Sequence, residues 1–452
     1  MSLASREPAA TIAAVATPPG TGALSLIRIS GPRAFDVAAA ATASCARTQA
    51  SHTTRHRKVL DASGHVIDDG LLTVFHGPAS ATGEDCVEFT GHGGTLVTRQ
   101  VLERFFDCGA QPAGPGEFTQ RAFLNGRLDL TQAEAVMDVI SARTSLSLRA
   151  ARSQLDGRLG QRTTSLRNQL LDTLAHLEAW IDFPEEDISP ETGIQLRDKV
   201  EQIQQNIELL LSTADQGRIL REGARTVIHG PPNVGKSSFL NLLLGHERAI
   251  VCETAGTTRD SIEESVNFHG IPLRLIDTAG VRDTDDHVEK MGILRTWKEV
   301  ESSDLVLSLA DGSRPKEHQS GGAPLPAHTI HILNKADLPE HPSWSDSTAL
   351  RVSCLTGQGL DELPRILFEL LHVQSTSWSE DMVAVNARHS NSLTQAARAL
   401  RAALPNLTCA SWNPELASID LREALDLLGE IPGKVDTEDL LGVIFSQFCI
   451  GK

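Results

Sequence analysis

Gly230-Pro231-Pro232-Asn233-Val234-Gly235-Lys236-Ser237 is a G-x-x-x-x-G-K-S string, a residue order that can grip a polyphosphate. Its glycines let the main chain wrap closely round phosphate oxygens. The N–H groups from Asn233 through Ser238, at the start of a helix, supply positive potential there. Lys236 can reach the terminal phosphates, and the Ser237 hydroxyl is a candidate ligand for Mg2+. Further on, Asp277-Thr278-Ala279-Gly280 ends the apolar run Leu273 to Ile276. That order puts a carboxylate at a strand end, where it can hold the magnesium shell, and a glycine N–H where a γ-phosphate can meet it. Between the two strings stands Gly256-Thr257-Thr258-Arg259-Asp260, in which Thr258 is the candidate switch hydroxyl that joins magnesium when the γ-phosphate is present.

Base choice has its own residues. Asn334-Lys335-Ala336-Asp337 follows the strand-like run Thr329 to Leu333, and Asp337 can accept hydrogen bonds from the ring N–H and amino group of guanine. Adenine would leave that carboxylate unpaired, which is costly. Ser353-Cys354-Leu355 is placed to back the base. Taken singly, the first string has a chance glycine-rich turn as its lesser alternative, and Asn334-Lys335-Ala336-Asp337 alone is a weak signal, since polar surface loops are full of such residues. In this order they imply GTP binding and hydrolysis. Val281 follows Gly280 where a water-orienting glutamine would be expected, so the hydrolytic water needs another partner. The acidic segment Asp283, Asp285, Asp286 and Glu289 is the nearest source.

The elements that must position these residues can be read from hydrophobic period. Strand, loop and helix alternate from Gly217 to about Thr376, the signature of a doubly wound α/β domain. Helical stripes flank it: Leu166, Leu170, Leu174, Leu177 and Ile181, then Leu196, Val200, Ile203, Ile207 and Leu211, separated at Phe183-Pro184. Beyond it lie Leu393, Ala397, Leu400 and Leu404, and then Leu421, Leu425 and Leu428. Each flanking set has an apolar face that the other can cover. The fold class is therefore multidomain α/β. It comprises an N-terminal α+β domain at 1–125, a discontinuous helical domain at 126–216 and 377–452, and an inserted Ras-like P-loop domain at 217–376.

Composition agrees. The chain has 452 residues, 40% of them hydrophobic and 22% charged, which favours several packed cores over disorder. Seven cysteines without a C-x-x-C pair suggest neither a zinc knuckle nor a disulfide framework, so a reducing, cytoplasmic setting is expected. No apolar run is long enough for a bilayer span. A net charge of -17 argues against indiscriminate adhesion to nucleic acid, so an RNA partner must meet a local basic patch. Arg143, Arg149, Arg152, Arg158, Arg162 and Arg167 form one candidate stripe, with a solvated, salt-bridged helix face as the plainer reading.

Four further segments carry a family resemblance. They are Thr17-Pro18-Pro19-Gly20 running into Ile27-Arg28-Ile29-Ser30-Gly31, then Thr82-Gly83-Glu84-Asp85 with Gly91-His92-Gly93-Gly94, the block Pro115 to Gly126, and the terminus Phe448-Cys449-Ile450-Gly451-Lys452. Over nearly its whole length the sequence resembles the MnmE (TrmE) family of tRNA-modification GTPases. The resemblance implies a homodimer formed through the N-terminal domain and a tetrahydrofolate derivative (5-formyl- or methylene-tetrahydrofolate) bound there. It also implies a flavoprotein partner, MnmG, in a heterotetramer or larger complex. Its reaction would add a (carboxymethyl)aminomethyl group to C5 of the wobble uridine of certain tRNAs.

By the same resemblance Glu289 acts on the hydrolytic water, and Asn233, Cys252, Thr254 and Thr257 hold K+. Arg28, Glu88, Arg127 and Lys452 are implied as folate contacts, and Cys449 as a residue of the modification site. The plain alternatives are a surface salt bridge for Arg28, a solvated strand residue for Glu88 and a packed thiol for Cys449. The chain departs from the family at Thr21, usually arginine, and at Ala81, usually aromatic. Rival readings are an RNA-binding GTPase switch or ribosome-assembly factor without covalent RNA chemistry, and a signalling switch with no RNA role.

Overall fold

The computed structural model describes residues 10–44, 46–182, 191–246, 263–276, 299–316, 325–371, 383–408, 412–433, 438–446 and 448–451. The chain divides into two compact units, Met1–Met137 with Gly429–Lys452, and Asp138–Leu428.

In the first unit the strands are β1 (Ile12–Val15), β2 (Leu24–Ser30), β3 (Thr53–Leu60), β4 (Val66–Phe75), β5 (Cys86–His92) and β6 (Gln111–Pro112). They form one sheet in the order β3-β4-β5-β2-β1-β6, antiparallel except where β1 meets β6. Strand alternation turns Ile27, Ile29, Leu72, Val74, Val87 and Phe89 to one face. There they join Phe35, Val37, Val101 and Phe105 of helices α1 (Ala34–Thr42) and α2 (Thr95–Asp107) in a closed core. Each fully buried side chain of this size contributes about 1.5–3 kcal/mol. The sheet's other face carries Arg28, Ser30 and Glu88, and is covered in part by Phe118 of α3 (Glu117–Leu124) through Ile12, Ala14 and Ala113.

The end of the chain folds back into this unit. Helix α4 (Leu130–Ser141) starts where its Leu130 N–H donates to Pro432 O, and Leu130 and Ala133 pack with Leu441, Phe445 and Phe448. The last two of these belong to, and just follow, a short helix at Glu438–Ser446. Beyond it Ile450 bridges to Pro115, and the Gly116 N–H donates to Cys449 O. Gly451 has φ of 98°, and a side chain there would strike Val15 O. Residues from 429 onward are thus part of the first unit, a placement that helical period alone does not reveal.

The second unit begins with α5 (Ser145–Leu155), α6 (Arg158–Asp182), α7 (Glu191–Ser212) and α8 (Ala214–Glu222). Leu166, Leu170, Leu174 and Leu177 of α6 are buried, as are Leu196, Val200, Ile203 and Ile207 of α7. Ile181 and Leu211 lie at the stripe ends and are only half-buried. Helix α10 (Ala387–Ala403) packs on α7 and starts with a capping box between Asn386 and His389.

Within the same unit lies a second six-stranded sheet, of β7 (Ala224–His229), β8 (Glu263–Phe268), β9 (Ile271–Ile276), β10 (Leu305–Asp311), β11 (Thr329–Asn334) and β12 (Leu350–Arg351). The order is β12-β11-β10-β7-β9-β8, and only β8 runs antiparallel to its neighbour. The chain leaves β7 toward β9 on one side and reaches β10 on the other. That reversal opens a crevice at the carboxyl end of β7, the place where such sheets bind ligands. The loop into α9 (Lys236–His246) starts there. Among the described residues no helix is long and apolar enough to cross a membrane.

Candidate nucleotide site

The phosphate-gripping string occupies the turn from β7 to α9, as the sequence requires. Gly230 has φ of 152°, Asn233 of 62° and Gly235 of 97°, so the loop passes three times through conformations that side chains disfavour. At two of them space is also missing: a side chain on Gly230 would strike Leu309 O, and one on Gly235 would strike Asn334 Nδ2. Lys236 Nζ donates to Gly230 O and Pro231 O at 2.8 Å each, which holds the ammonium across the loop mouth. Burial pulls its pKa down. Burial also lowers that of the neighbouring His229, and the Lys236 charge adds to the effect. Ser237 and Ser238 are exposed in the first turn of α9, and Val234 is buried beneath the loop.

Asn334 joins this cradle to the loops expected to read the base. It is buried at 3% exposure; its Nδ2 donates to Val234 O (2.7 Å) and its Oδ1 accepts from the Cys354 N–H (3.1 Å). Both ends of the amide are engaged, so Asn334 acts as a brace between loops. Asp337 is held by the Ser353 hydroxyl, which donates to its Oδ1 (2.5 Å). Ser353 Oγ in turn accepts from the N–H groups of Leu355 and Thr356. Among the described residues the second Asp337 oxygen has no protein donor, leaving acceptor capacity for a ring N–H and an amino group. Leu355 is 84% exposed beside it, an apolar surface suited to the flat face of a base. Burial pushes the Cys354 thiol up to about 11, so it stays neutral.

Lys335 has φ of 66° and lays its side chain back so that Nζ meets Asp311 Oδ2 at 2.6 Å. Asp311, at the end of β10, was not singled out by its sequence. The signal was available: an acid closing the apolar run Leu305 to Ala310, directly before Gly312. Burial opposes its ionisation, but hydrogen bonds from Lys335 and Ser313 outweigh that and hold its carboxyl below the usual range.

Cys252, Thr254, Gly256, Thr257, Thr258, Asp277, Thr278, Ala279, Gly280, Glu289 and Lys452 lie outside the described residues. Of the remaining N-terminal candidates, Arg28 and Glu88 face each other across β2 and β5. Arg28 donates from Nε (2.9 Å) to Glu88 Oε1, and its guanidinium lies 5.7 Å from the Phe118 ring centre. Both are about four-fifths buried. Arg127 is exposed, and a side chain on Gly83 would crowd its stem. Cys449 is exposed on the tail.

The other motif residues of this unit mostly bind one another. Arg121 donates to Glu84 (3.1 Å) and Glu117 (2.7 Å), and Ser30 donates to Glu84 (2.8 Å) while bonded to Thr82 (2.7 Å). Asn125 Nδ2 donates to Thr82 O (2.8 Å). Of the arginines of α5 and α6, Arg149 bonds Ser145 O, Arg152 pairs with Asp156 at 3.3 Å, and Arg158 and Arg162 have other partners, whereas the buried Arg167 Nε has no acceptor among the described residues. That favours the salt-bridged helix face.

Comparison with known proteins finds two family models along the chain. A family model described as the MnmE helical domain matches residues 130–449, and one described as GTP-binding protein TrmE N-terminus matches residues 11–127. A protein of Akkermansia muciniphila named tRNA modification GTPase MnmE is 50% identical over 452 residues, covering 99% of this chain and 100% of its own. Proteins of the same name from Levilactobacillus brevis and Natranaerobius thermophilus are 44% and 42% identical over 456 residues, each covering 98% of this chain.

Proposed function

The chain belongs to the MnmE family of tRNA-modification GTPases, and on that premise we propose that GTP hydrolysis here drives a folate-dependent modification of the wobble uridine of tRNA. The observation that carries the reading is the Asn334 brace. It makes the phosphate cradle and the Asp337 carboxylate one assembly, so that grip on the triphosphate and choice of guanine come together.

In this reading Lys236 and the loop N–H groups take the β- and γ-phosphates, and charge that builds there during hydrolysis is met by donors already in place. Ser237 and Thr258 would hold Mg2+; the exposed Ser237 hydroxyl in the first turn of α9 suits a hard cation. Asn233 would hold K+ together with Cys252, Thr254 and Thr257. Its exposed position in the loop and its oxygen donors suit that ion. A fixed monovalent cation beside the phosphates supplies positive charge without a partner's arginine. Glu289 would act on the water, because Val281 has no group that can.

In the N-terminal part the partly buried Arg28–Glu88 pair offers both signs of charge to a pterin, with Arg127 and Lys452 for the glutamate tail. A tetrahydrofolate derivative there would supply the one-carbon unit. Cys449 would serve that site on the exposed tail. We assign the roles to three parts: 1–125 for dimerisation and folate, 126–216 with 377–452 for relay, and 217–376 for GTP. MnmG, the flavoprotein partner, would complete the enzyme.

The test is GTP hydrolysis in K+ against Na+ with and without the flavoprotein, joined to wobble-nucleoside analysis of a deletion strain. Faster turnover in K+ and loss of the modified uridine are expected. Equal rates in the two salts would remove the K+ ligands from the proposal, and a persisting modified uridine would remove the tRNA chemistry.

A further inference from the structure

An acidic chain that handles tRNA needs a local cationic surface, and strand β3 has the composition for one. No acidic residue stands between Asp36 and Asp61, a stretch that holds Arg47, Arg55, Arg57 and Lys58, although the chain carries 58 acids in all. The cations of β3 also lie at the edge of the first sheet, where β4 is the only neighbour among the described residues. Thr53, Thr54, Arg55, His56 and Lys58 are exposed, and Arg57 is half-buried.

The pairing of these groups separates them from Arg152, Arg158 and Arg162 of α5 and α6. Arg47 is held by Asp36 (3.1 Å), and His56 by Asp69 of β4 (2.8 Å). Among the described residues, Arg55 and Lys58 have no acid within ion-pair distance. Arg57 Nη1 reaches only the His56 carbonyl (3.2 Å), and its Nε is shielded from solvent with no acceptor among the described residues. Arg55 and Arg57 share one side of the strand about 6.6 Å apart. That is the scale of the step between successive phosphates on one nucleic-acid strand. The unpaired main-chain edge adds N–H donors of the kind that contact phosphate and sugar.

From this we infer that β3, through Arg55, Arg57 and Lys58, docks the phosphate backbone of tRNA. The inference rests on the tRNA role proposed above and names the surface that serves it. Contacts of this type position an RNA without reading its bases. Affinity through β3 therefore falls with salt and is shared by tRNAs of different anticodon.

The experiment uses the full chain with Arg55→Gln/Lys58→Gln, two exposed positions, and with Arg57→Gln added. Binding to unmodified tRNA is measured by fluorescence anisotropy across salt. The double variant should bind about tenfold more weakly at physiological salt, and the slope of log affinity against log salt should shrink by about two. Arg55→Lys should retain affinity, and GTP hydrolysis without tRNA should be unchanged in every variant. Wild-type affinity and slope in both glutamine variants would overturn the inference. If those variants also self-associate, the charges of β3 protect an exposed edge and nothing more. Failure of the wild-type chain to bind tRNA at all would remove the proposed function and this surface with it.

Discussion

The two sites of this chain treat their charged residues in opposite ways. In the candidate nucleotide site the motif residues brace one another through Asn334 and Ser353, yet among the described residues leave one Lys236 ammonium proton and one Asp337 oxygen without a protein partner. In the N-terminal unit Arg28 is paired with Glu88, and Arg121 is shared between Glu84 and Glu117. A set of residues that stays open toward a ligand declares its chemistry. A set that closes on itself declares first that the fold depends on it.

The strongest way to break that comparison is at Lys236. Lys236→Ala removes the cation bonded across the loop mouth, and GTP hydrolysis should fall at least about 100-fold while thermal stability of the first unit is unchanged. Steady-state phosphate release, with a melting curve as control, checks this. A smaller loss would mean that the loop N–H groups alone carry the phosphates.

The mirror-image test is Arg121→Ala. Its side chain is 10% exposed, and removing it leaves the Glu84 and Glu117 carboxylates without their partner. A cost of roughly 3 kcal/mol to the first unit is expected, with GTP affinity untouched. Denaturant melting and nucleotide titration of the same variant separate the two effects. Reduced GTP affinity with intact stability would reverse the roles assigned to the two regions.

These contrasts also explain what the sequence made legible. The order of Lys236, Asn334 and Asp337 in the sequence is what led to the expected guanine site, and the structure joins their loops through Asn334, while glycines at 230 and 235 are demanded by backbone conformation and space. The helical stripes were readable because burial repeats with the helix. Asp311 was not, since its importance arises only when β10 and β11 run side by side and bring Lys335 to it. The return of the tail to Pro115 and Val15 was hidden for the same reason: contacts between distant segments leave no local period.

A finer test bears on that unforeseen acid. The Asp311 pKa is depressed in the fold, so its carboxylate stabilises the structure fully above the unfolded value of about 4. That contribution is lost as pH falls through the still lower folded value. Asp311→Asn should therefore flatten the acid limb of the stability profile and leave the profile above pH 6 parallel to that of the wild type. A pH series of melting temperatures checks it; an unchanged acid limb would show that the Lys335 contact carries no linkage.

The central claim is that one carboxylate, braced against the phosphate cradle, chooses the base. The direct measurement is nucleotide preference in Asp337→Asn. An amide presents a donor where the carboxylate accepted, so affinity should move from GTP to xanthosine triphosphate, which carries a carbonyl in place of the amino group. The wild-type chain should ignore both xanthosine triphosphate and ATP. Retention of full GTP affinity by the variant, or ATP binding by the wild type, would contradict the account.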